Sequence, residues 1–178
     1  MRRIRPATPS DVPALSELAK RTWAAAFGSS VSPEDEAAEL EKTRSERYFA
    51  EALRESTILV AEEDDALLGY VQFGEVEIPE VEVRPGDQAL HRIYVDLGLQ
   101  GKGIGRELLK AAFRHPRLAR ASRIYLTVWE RNEAAIRLYE RFGFRTVGTT
   151  TFTIGGEVVE DLVMLLDRGA VTSAGAGR

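Results

Sequence analysis

The sequence contains no cysteine and only two histidines, His91 and His115. A chain without cysteine forms no disulfide bond, has no thiol nucleophile and offers no thiolate ligand to a metal ion. Two histidines are also too few for the multi-histidine sites that hold catalytic zinc. The absence of cysteine is compatible with a reducing cytoplasm. We therefore expect a cytoplasmic protein that binds no metal.

Long apolar runs are absent as well. No stretch of about 18 apolar residues could span a membrane, and the basic segment 1–6 lacks the apolar continuation of a signal peptide. The formal net charge of −4 does not favour a nucleic-acid partner. We expect neither a membrane nor a nucleic acid among the partners.

The length of 178 residues, with 44% hydrophobic and 29% charged residues, fits one globular domain. Strand and helix signals occupy residues 1–167, and this range is the predicted domain. Residues 168–178 are rich in glycine, alanine and serine, which predicts a disordered C-terminal tail.

Helical and strand patterns alternate along the chain, which predicts an α/β sandwich. The acidic stretch 74–87 contains an alternating segment, Val76 to Val83, that could form an additional strand. The predicted helices comprise residues 11–27, ended by Gly28-Ser29-Ser30, then 33–55 with a break near Thr43, 103–115 and 133–142. The predicted strands comprise residues 4–5, 57–62, 67–73, 90–95, 123–128, 144–154 and 158–166, the last two joined by a turn at Gly155-Gly156.

The most informative segment is a glycine-rich turn between a strand and a helix. The first N–H groups of a helix have no internal partner and carry part of the helix dipole. Gly101, Gly103 and Gly105 lack the Cβ atoms that would hold a phosphate away, and Lys102 and Arg106 add positive charge. The segment therefore predicts an anion-binding turn.

Two nucleotide-binding motifs fail on spacing. Counting a P-loop from Gly98 reaches Gly103, but Ile104 follows where lysine is required. The dinucleotide fingerprint requires a third glycine at the position of Arg106. The pattern that remains is Gln100-x-x-Gly103-x-Gly105.

This pattern resembles the signature of the GNAT N-acetyltransferases, Gln/Arg-x-x-Gly-x-Gly/Ala. A second segment about thirty residues later is similar to the family's Asn-x-x-Ala-x-x-x-Tyr-x-x-x-Gly-Phe. The resemblance implies a single-domain GNAT fold, which is a mixed, mostly antiparallel twisted sheet flanked by helices, with acetyl-CoA as co-substrate. The matching positions of the second segment are Asn132, Ala135, Tyr139, Gly143 and Phe144.

The resemblance also implies which residues bind the cofactor. In the family, the glycine turn cradles the pyrophosphate of coenzyme A, and the asparagine contacts the pantetheine arm. The cofactor-binding residues implied here are Ile93, Tyr94, Val95, Gln100, Gly101, Lys102, Gly103, Ile104, Gly105, Arg106, Asn132, Ala135 and Tyr139.

In GNAT enzymes an amine attacks the thioester directly, so no protein nucleophile is needed. The resemblance implies that the backbone amide of Val95 polarises the thioester carbonyl and that Tyr139 protonates the departing thiolate. Read without the family, Asn132 is the N-cap of the helix that follows, and Tyr139 is a core aromatic residue.

The residue that deprotonates the amine stays open. An alkylamine has a pKa near ~10.4, so a carboxylate or a histidine must take its proton. Glu75 ends one predicted strand, and simple alternation places His91 on the same face as Ile93 and Val95. Without a catalytic role, Glu75 would be a solvated residue at the edge of a loop, and His91 would be a hydrogen-bonded histidine within the sheet.

The acidic stretch suggests the substrate. Glu75, Glu77, Glu80 and Glu82 alternate, so they could share one face of a strand and attract a cation. Trp23 and Phe27 could line an apolar slot, although core packing is their ordinary role.

Three further segments resemble the bacterial spermidine/spermine acetyltransferase branch, which implies a polyamine or another small cationic amine as substrate. These segments are 128–132, 151–157 and 161–164. Two alternatives stay open: acetylation of a protein N-terminus or lysine, and a non-catalytic regulatory module that binds acetyl-CoA. The last strand offers an edge for pairing in a homodimer.

Overall fold

A computed structural model describes residues 1–28, 31–154 and 156–169. Within these ranges the chain forms a seven-stranded sheet in the order β1-β2-β3-β4-β5-β7-β6. The strands are β1 (Arg3–Pro6), β2 (Thr57–Glu63), β3 (Ala66–Gly74), β4 (Gln88–Val95), β5 (Arg123–Trp129), β6 (Arg145–Ile154) and β7 (Glu157–Asp167). The helices are α1 (Val12–Phe27), α2 (Pro33–Arg44), α3 (Glu46–Glu55), α4 (Ile104–Arg114), α5 (Pro116–Ala119) and α6 (Glu133–Arg141).

The predicted fold class is confirmed: one sheet of mixed direction is flanked by helices. The break predicted near Thr43 lies at Ser45, whose hydroxyl accepts from the Tyr48 amide and caps α3. Pro116 ends α4 as expected, but it also begins α5. Ser29, Ser30, Gly155 and residues 170–178 of the predicted tail lie outside the described residues.

The extra strand predicted at residues 76–83 is wrong, because the chain between Gly74 and Gln88 forms no strand. Val76, Ile78 and Val81 instead pack as a loop on a small buried cluster of the sheet. These three side chains are partly buried without any strand pairing, whereas Val83, the last apolar residue of the pattern, is exposed. The sheet residues of that cluster are Ala89, Tyr125, Val163 and Leu165.

Helices cover both faces of the sheet. Alternate residues of β2 and β3 pack either on α1 and α3 or on the larger cluster that contains α4, α5 and α6. Leu108 and Leu109 of α4 and Ile124 of β5 are fully buried in the larger cluster. Each such side chain stabilises the fold by about 1.5–3 kcal/mol. We call the side of the sheet covered by α4 and α6 the α4 face.

The last strand is not an edge, contrary to the expectation from its place in the sequence. β7 lies between β5 and β6, and its register runs from Asp167 opposite Arg123 to Glu157 opposite Ile154. The sheet edges are β1 and β6. No helix in the described ranges is long and apolar enough to cross a membrane.

Candidate active site

The sheet opens between β4 and β5, its one parallel pair of strands. These strands are paired over only three residues each, Gln88–Leu90 with Ile124–Leu126, and then diverge. The amide of Asp96 donates to the carbonyl of Leu68 on β3 at 2.9 Å. Amides alternate in direction along an antiparallel strand, so the amide of Val95 points away from β3 into this gap.

The glycine turn lies at the end of β4 and begins α4. Gly101 and Gly103 have φ values of +78° and +81°, which glycine adopts without the strain that a Cβ atom causes. Gly103 is the N-cap of α4. A Cβ atom built on either glycine would meet nothing within 4 Å, so the turn faces open space.

The amides at the start of α4 are free. In the described part of the chain, the amides of residues 103–106 donate to no other residue, whereas that of Glu107 donates to the carbonyl of Gly103 at 3.0 Å. The amide of Lys102 makes a long contact of 3.4 Å with the carbonyl of Leu99. Four free donors with the helix dipole behind them are the geometry that the sequence predicts for an anion-binding turn.

A surface groove of about 400 Å³ runs from this turn between α4 and α6. Arg106, Lys110 and Arg141 contribute positive charge, and Leu138 and Phe142 form an apolar wall. Gly105 connects the groove to the gap, because a Cβ atom there would lie 3.8 Å from Cγ2 of Val95 and 3.9 Å from Cδ2 of Leu138. The free amides, the groove and the gap are therefore contiguous on the α4 face.

A cavity of about 390 Å³ lies on the opposite face, beside the point where β4 and β5 part. Side chains on β5 alternate, and Ile124, Leu126 and Val128 belong to the α4 face, so Thr127 points into the cavity. Its wall comes from α3, the loop after β3, and strands β4 to β7. The lining residues are Tyr48, Glu77, Ile78, Pro79, Glu80, Ala89, Leu90, His91, Arg92, Thr127, Thr150, Thr151, Phe152 and Asp161.

Residues 14–144 match the acetyltransferase (GNAT) family. The chain belongs to the GNAT acetyltransferase family.

Two relatives illustrate the similarity to other N-acetyltransferases. The chain is 37% identical over 97 residues to the spermine/spermidine N(1)-acetyltransferase of Bacillus subtilis, a match that covers 54% of this chain and 64% of that protein. It is 31% identical over 163 residues to an uncharacterized N-acetyltransferase of Mycobacterium tuberculosis, covering 88% of this chain and 97% of that protein. The chain thus spans less than two thirds of the Bacillus protein.

The GNAT fold is also found in solved structures. The PaiA N-acetyltransferase of Thermoplasma acidophilum, crystallised in complex with coenzyme A, superposes with a TM-score of 0.74 over 94% of this chain and 99% of that one. The two sequences are 20% identical, so this similarity shows the fold alone.

Asn132 and Tyr139, two residues of the second GNAT motif, lie in different surroundings. Asn132 caps α6, and its Oδ1 accepts from the amide of Ala135 at 3.2 Å, so its structural role is present. Tyr139 is 7% exposed and packs edge-on against Phe144. Its hydroxyl makes no hydrogen bond within the described residues. Burial raises the pKa of Tyr139, so the phenol stays protonated through the neutral range.

His91 and Glu75, which the sequence suggests as bases, differ in their position relative to the cavity. His91 lines the cavity, and its Nε2 lies 2.7 Å from the carbonyl oxygen of Glu75. The side chain of Glu75 is exposed and does not line the cavity. His91 and Glu75 are thus joined through the Glu75 backbone and not through its carboxylate.

The prediction that His91 shares a face with Ile93 and Val95 is wrong. Leu90 pairs with Phe73 and Arg92 with Gln72, which leaves His91 as the extra residue of a β-bulge. A bulge shifts the alternation by one residue. Ile93 and Val95 pack on the α4 face, whereas the His91 ring contacts the loop after β3.

The predicted apolar slot is also wrong for Trp23. Its side chain is 2% exposed within the core, with the guanidinium of Arg44 5.4 Å from the ring centre. The side chain of Phe27 lies outside the described residues. Of the four alternating glutamates, Glu77 and Glu80 line the cavity and all four are exposed on the loop.

Sequence reasoning missed two charged residues of the cavity, Asp161 and Arg92. Arg92 donates to the carbonyl of Thr43 at 2.6 Å, and its guanidinium lies 4.5 Å from the centre of the Tyr48 ring. Asp161 is the first residue of segment 161–164, and the resemblance of that segment to the spermidine/spermine branch assigns it no role. No local pattern marks either residue, because β4, α3 and β7 come together only in the folded sheet.

Proposed function

We propose that this chain is an acetyl-CoA-dependent N-acetyltransferase that transfers acetyl directly to a primary amine of a polyamine or another small cationic amine. The domain spans residues 1–167. The observation that carries the proposal is the continuity of four free amides, a basic groove and the gap between β4 and β5. This arrangement suits a long anionic thioester on the α4 face and an amine arriving from the other face.

The cofactor is held by the turn and the neighbouring helices. The amides of residues 103–106 bind the pyrophosphate, Gln100, Gly101 and Lys102 line the turn, and Arg106 adds charge. Asn132 and Ala135, in the first turn of α6, contact the pantetheine arm. The open space at Gly101 and Gly103 supports this assignment, since phosphate oxygens can approach the backbone there.

The reaction takes place in the gap. Ile93, Tyr94 and Val95 border the thioester, and the amide of Val95 donates to its carbonyl oxygen as negative charge develops there. Tyr139 gives its proton to the departing thiolate. Its buried position and free hydroxyl support this role, because a phenol held neutral keeps the proton until the thiolate forms.

The acceptor enters through the cavity on the opposite face. Glu77 and Glu80 at its wall attract a cation, as the acidic loop predicts. The similarity to a Bacillus protein named for spermine and spermidine supports a polyamine acceptor. His91 and Glu75 are the candidate bases that the sequence suggests, and His91 is the better placed of the two because it lines the cavity.

One assay tests the proposal. The purified protein is incubated with acetyl-CoA and a panel of spermidine, spermine, monoamines, amino acids and peptides, while release of free thiol is followed. We expect turnover with polyamines and little with peptides. Turnover with peptides alone would instead establish a protein acetyltransferase, and tight acetyl-CoA binding without thiol release on any amine would establish a regulatory module.

A further inference from the structure

A carboxylate lies on the acceptor side of the sheet, in the cavity described above. Asp161 on β7 pairs with Trp129 of β5 and with Thr150 of β6. Paired residues of antiparallel strands point to the same face, so the Asp161 side chain projects away from the α4 face, beside Thr127. Both residues line the cavity next to the gap.

One oxygen of this carboxylate is buried without a partner. Oδ1 of Asp161 accepts no hydrogen bond from any residue in the described ranges. Burial raises the pKa of Asp161 to about 6, and an interaction with the Thr127 hydroxyl opposes that rise. A buried acceptor left unsatisfied costs free energy, and a cation that reaches the carboxylate from the cavity would offset part of that cost.

The charges that face the cavity favour a cation near Asp161. Glu77 and Glu80 lie on the loop after β3, and His91 and Arg92 lie on β4. Arg92 is held at the wall by the Thr43 carbonyl and the Tyr48 ring. The cavity therefore holds three carboxylates, those of Glu77, Glu80 and Asp161, and one guanidinium, that of Arg92. A ligand ammonium group can first meet the exposed glutamates and then reach Asp161.

We propose that the carboxylate of Asp161 binds the ammonium group of the acceptor and removes its proton, an inference that rests on the proposed acetyltransferase function. His91 contacts the Glu75 carbonyl through Nε2, so Nδ1 is the nitrogen of His91 that is left to accept a proton. Glu75 is less suited because its carboxylate lies outside the cavity. Asp161 combines an incompletely hydrogen-bonded carboxylate with a place in the wall of the cavity.

A proton passes from the ammonium nitrogen to the Asp161 carboxylate, and the freed lone pair forms the C–N bond with the acetyl carbon. The C–S bond breaks, and the thiolate takes the proton of Tyr139. The second proton lost from nitrogen restores the Tyr139 phenol, and Asp161 releases its proton to solvent. One ammonium and one thioester thus yield an amide, a thiol and one proton.

The test compares Asp161→Asn with Glu160→Gln, an exposed neighbour on the same strand. With an amine that the wild-type protein acetylates, kcat/KM for the amine is measured between pH 5 and pH 9 on either side of the Asp161 pKa of about 6. We expect Asp161→Asn to lose about 100-fold in kcat/KM and to lose the acidic limb of the profile, while its affinity for acetyl-CoA is unchanged. A loss of less than about twofold, with the limb retained, would overturn the proposal.

A second variant tests the site without removing the carboxylate. In Thr127→Val the interaction that lowers the pKa of Asp161 is absent, so the acidic limb should move to higher pH. An unmoved limb in a folded variant would contradict the role of Asp161.

Failure of the proposed function is distinguishable from failure of this inference. If the wild-type protein binds acetyl-CoA but releases no thiol with any amine, the acetyltransferase proposal fails. Binding of spermidine is then compared by calorimetry between the wild-type protein and Asp161→Asn. Weaker binding by the variant supports the ammonium site, whereas equal binding or no binding by the wild type overturns it.

Discussion

Gly103 and Gly86 share one backbone conformation in two different settings. Their φ values are +81° and +87°, and a Cβ atom on either would meet no atom within 4 Å. Gly103 begins α4 at the free amides, whereas Gly86 lies in the loop before β4. The pair therefore separates the effect of backbone strain from the effect of blocking the turn.

The first prediction uses this pair. Alanine at either position forces a left-handed conformation and should cost about 1–2 kcal/mol of folding free energy, or about 2–4 °C in Tm. Gly103→Ala should also weaken acetyl-CoA binding by about tenfold or more, because its methyl group occupies the approach to the amides. Calorimetric titration measures the affinity. Equal affinity in the two variants would show that the turn does not hold the cofactor.

The second prediction concerns Tyr139. Tyr139→Phe should lower kcat by about 100-fold through loss of the acid, while the Kd for acetyl-CoA stays within about twofold. Because its hydroxyl forms no hydrogen bond in the described structure, Tm should not fall. Tyr125→Phe, on the far side of the sheet, serves as the control for loss of a buried phenol. An unchanged kcat in Tyr139→Phe would eliminate the acid role.

The third prediction concerns the charges of the groove between α4 and α6. Replacing Arg106 and Lys110 with glutamine should raise KM for acetyl-CoA by about fivefold, since each exposed charge contributes up to about 1 kcal/mol to binding a phosphate. Rates with acetyl-pantetheine, which has no phosphates, should not change. Lys42→Gln, on exposed α2, is the control. A similar loss with both thioesters would indicate damage to the fold and not to phosphate binding.

The fourth prediction concerns stability in acid. Arg5 donates to both carboxylate oxygens of Asp11, at 2.7 and 2.9 Å, and lowers the pKa of Asp11 from 3.8 to about 2. A depressed pKa stabilises the fold above the unfolded value, and this contribution is lost as the pH falls from about 4 to about 2. Asp11→Asn should therefore be less stable than the wild type by about 1–2 kcal/mol at pH 7, after allowance for solvent screening.

Chemical denaturation at several pH values checks this linkage. The difference between the wild type and Asp11→Asn should shrink as the pH approaches 2. Glu17 is an exposed helical residue whose Oε1 lies 3.8 Å from Nζ of Lys20. The stability of the control variant Glu17→Gln should match that of the wild type at every pH. A difference that is constant with pH would mean that Asp11 contributes through packing and not through its charge.

The features that the sequence predicted correctly depend on local contacts. Gly103 begins α4 and Asn132 caps α6, because a turn residue and a cap act on backbone groups within a few positions along the chain. The strands from 57 to 73 were predicted within one or two residues, because turn chemistry at Asp64 and Asp65 is also local. The same locality explains why the glycine turn that leads into α4 could be predicted from the sequence.

The features that failed depend on pairing between distant segments. The bulge at His91 is defined by the register of β4 against β3. Because of this bulge, His91 does not lie on the face of the sheet that simple alternation predicts. Residues 76–83 alternate like a strand but find no strand partner, so their apolar residues pack on the sheet instead. In residues 76–83 the alternation also breaks at Pro79-Glu80, which shifts the later residues to the other face of any strand.

The amino-acid sequence by itself determined the α/β class, the turn that begins α4 and the cap of α6, since these follow from short-range backbone chemistry. Only the tertiary structure decided that β7 lies inside the sheet, that β4 and β5 diverge after three paired residues, and that Asp161 of β7 lies on the same face as Thr127 of β5. Strand order and register bring together residues that lie tens of positions apart in the sequence. Both are set by the burial of apolar side chains over the whole sheet, which no short segment determines alone.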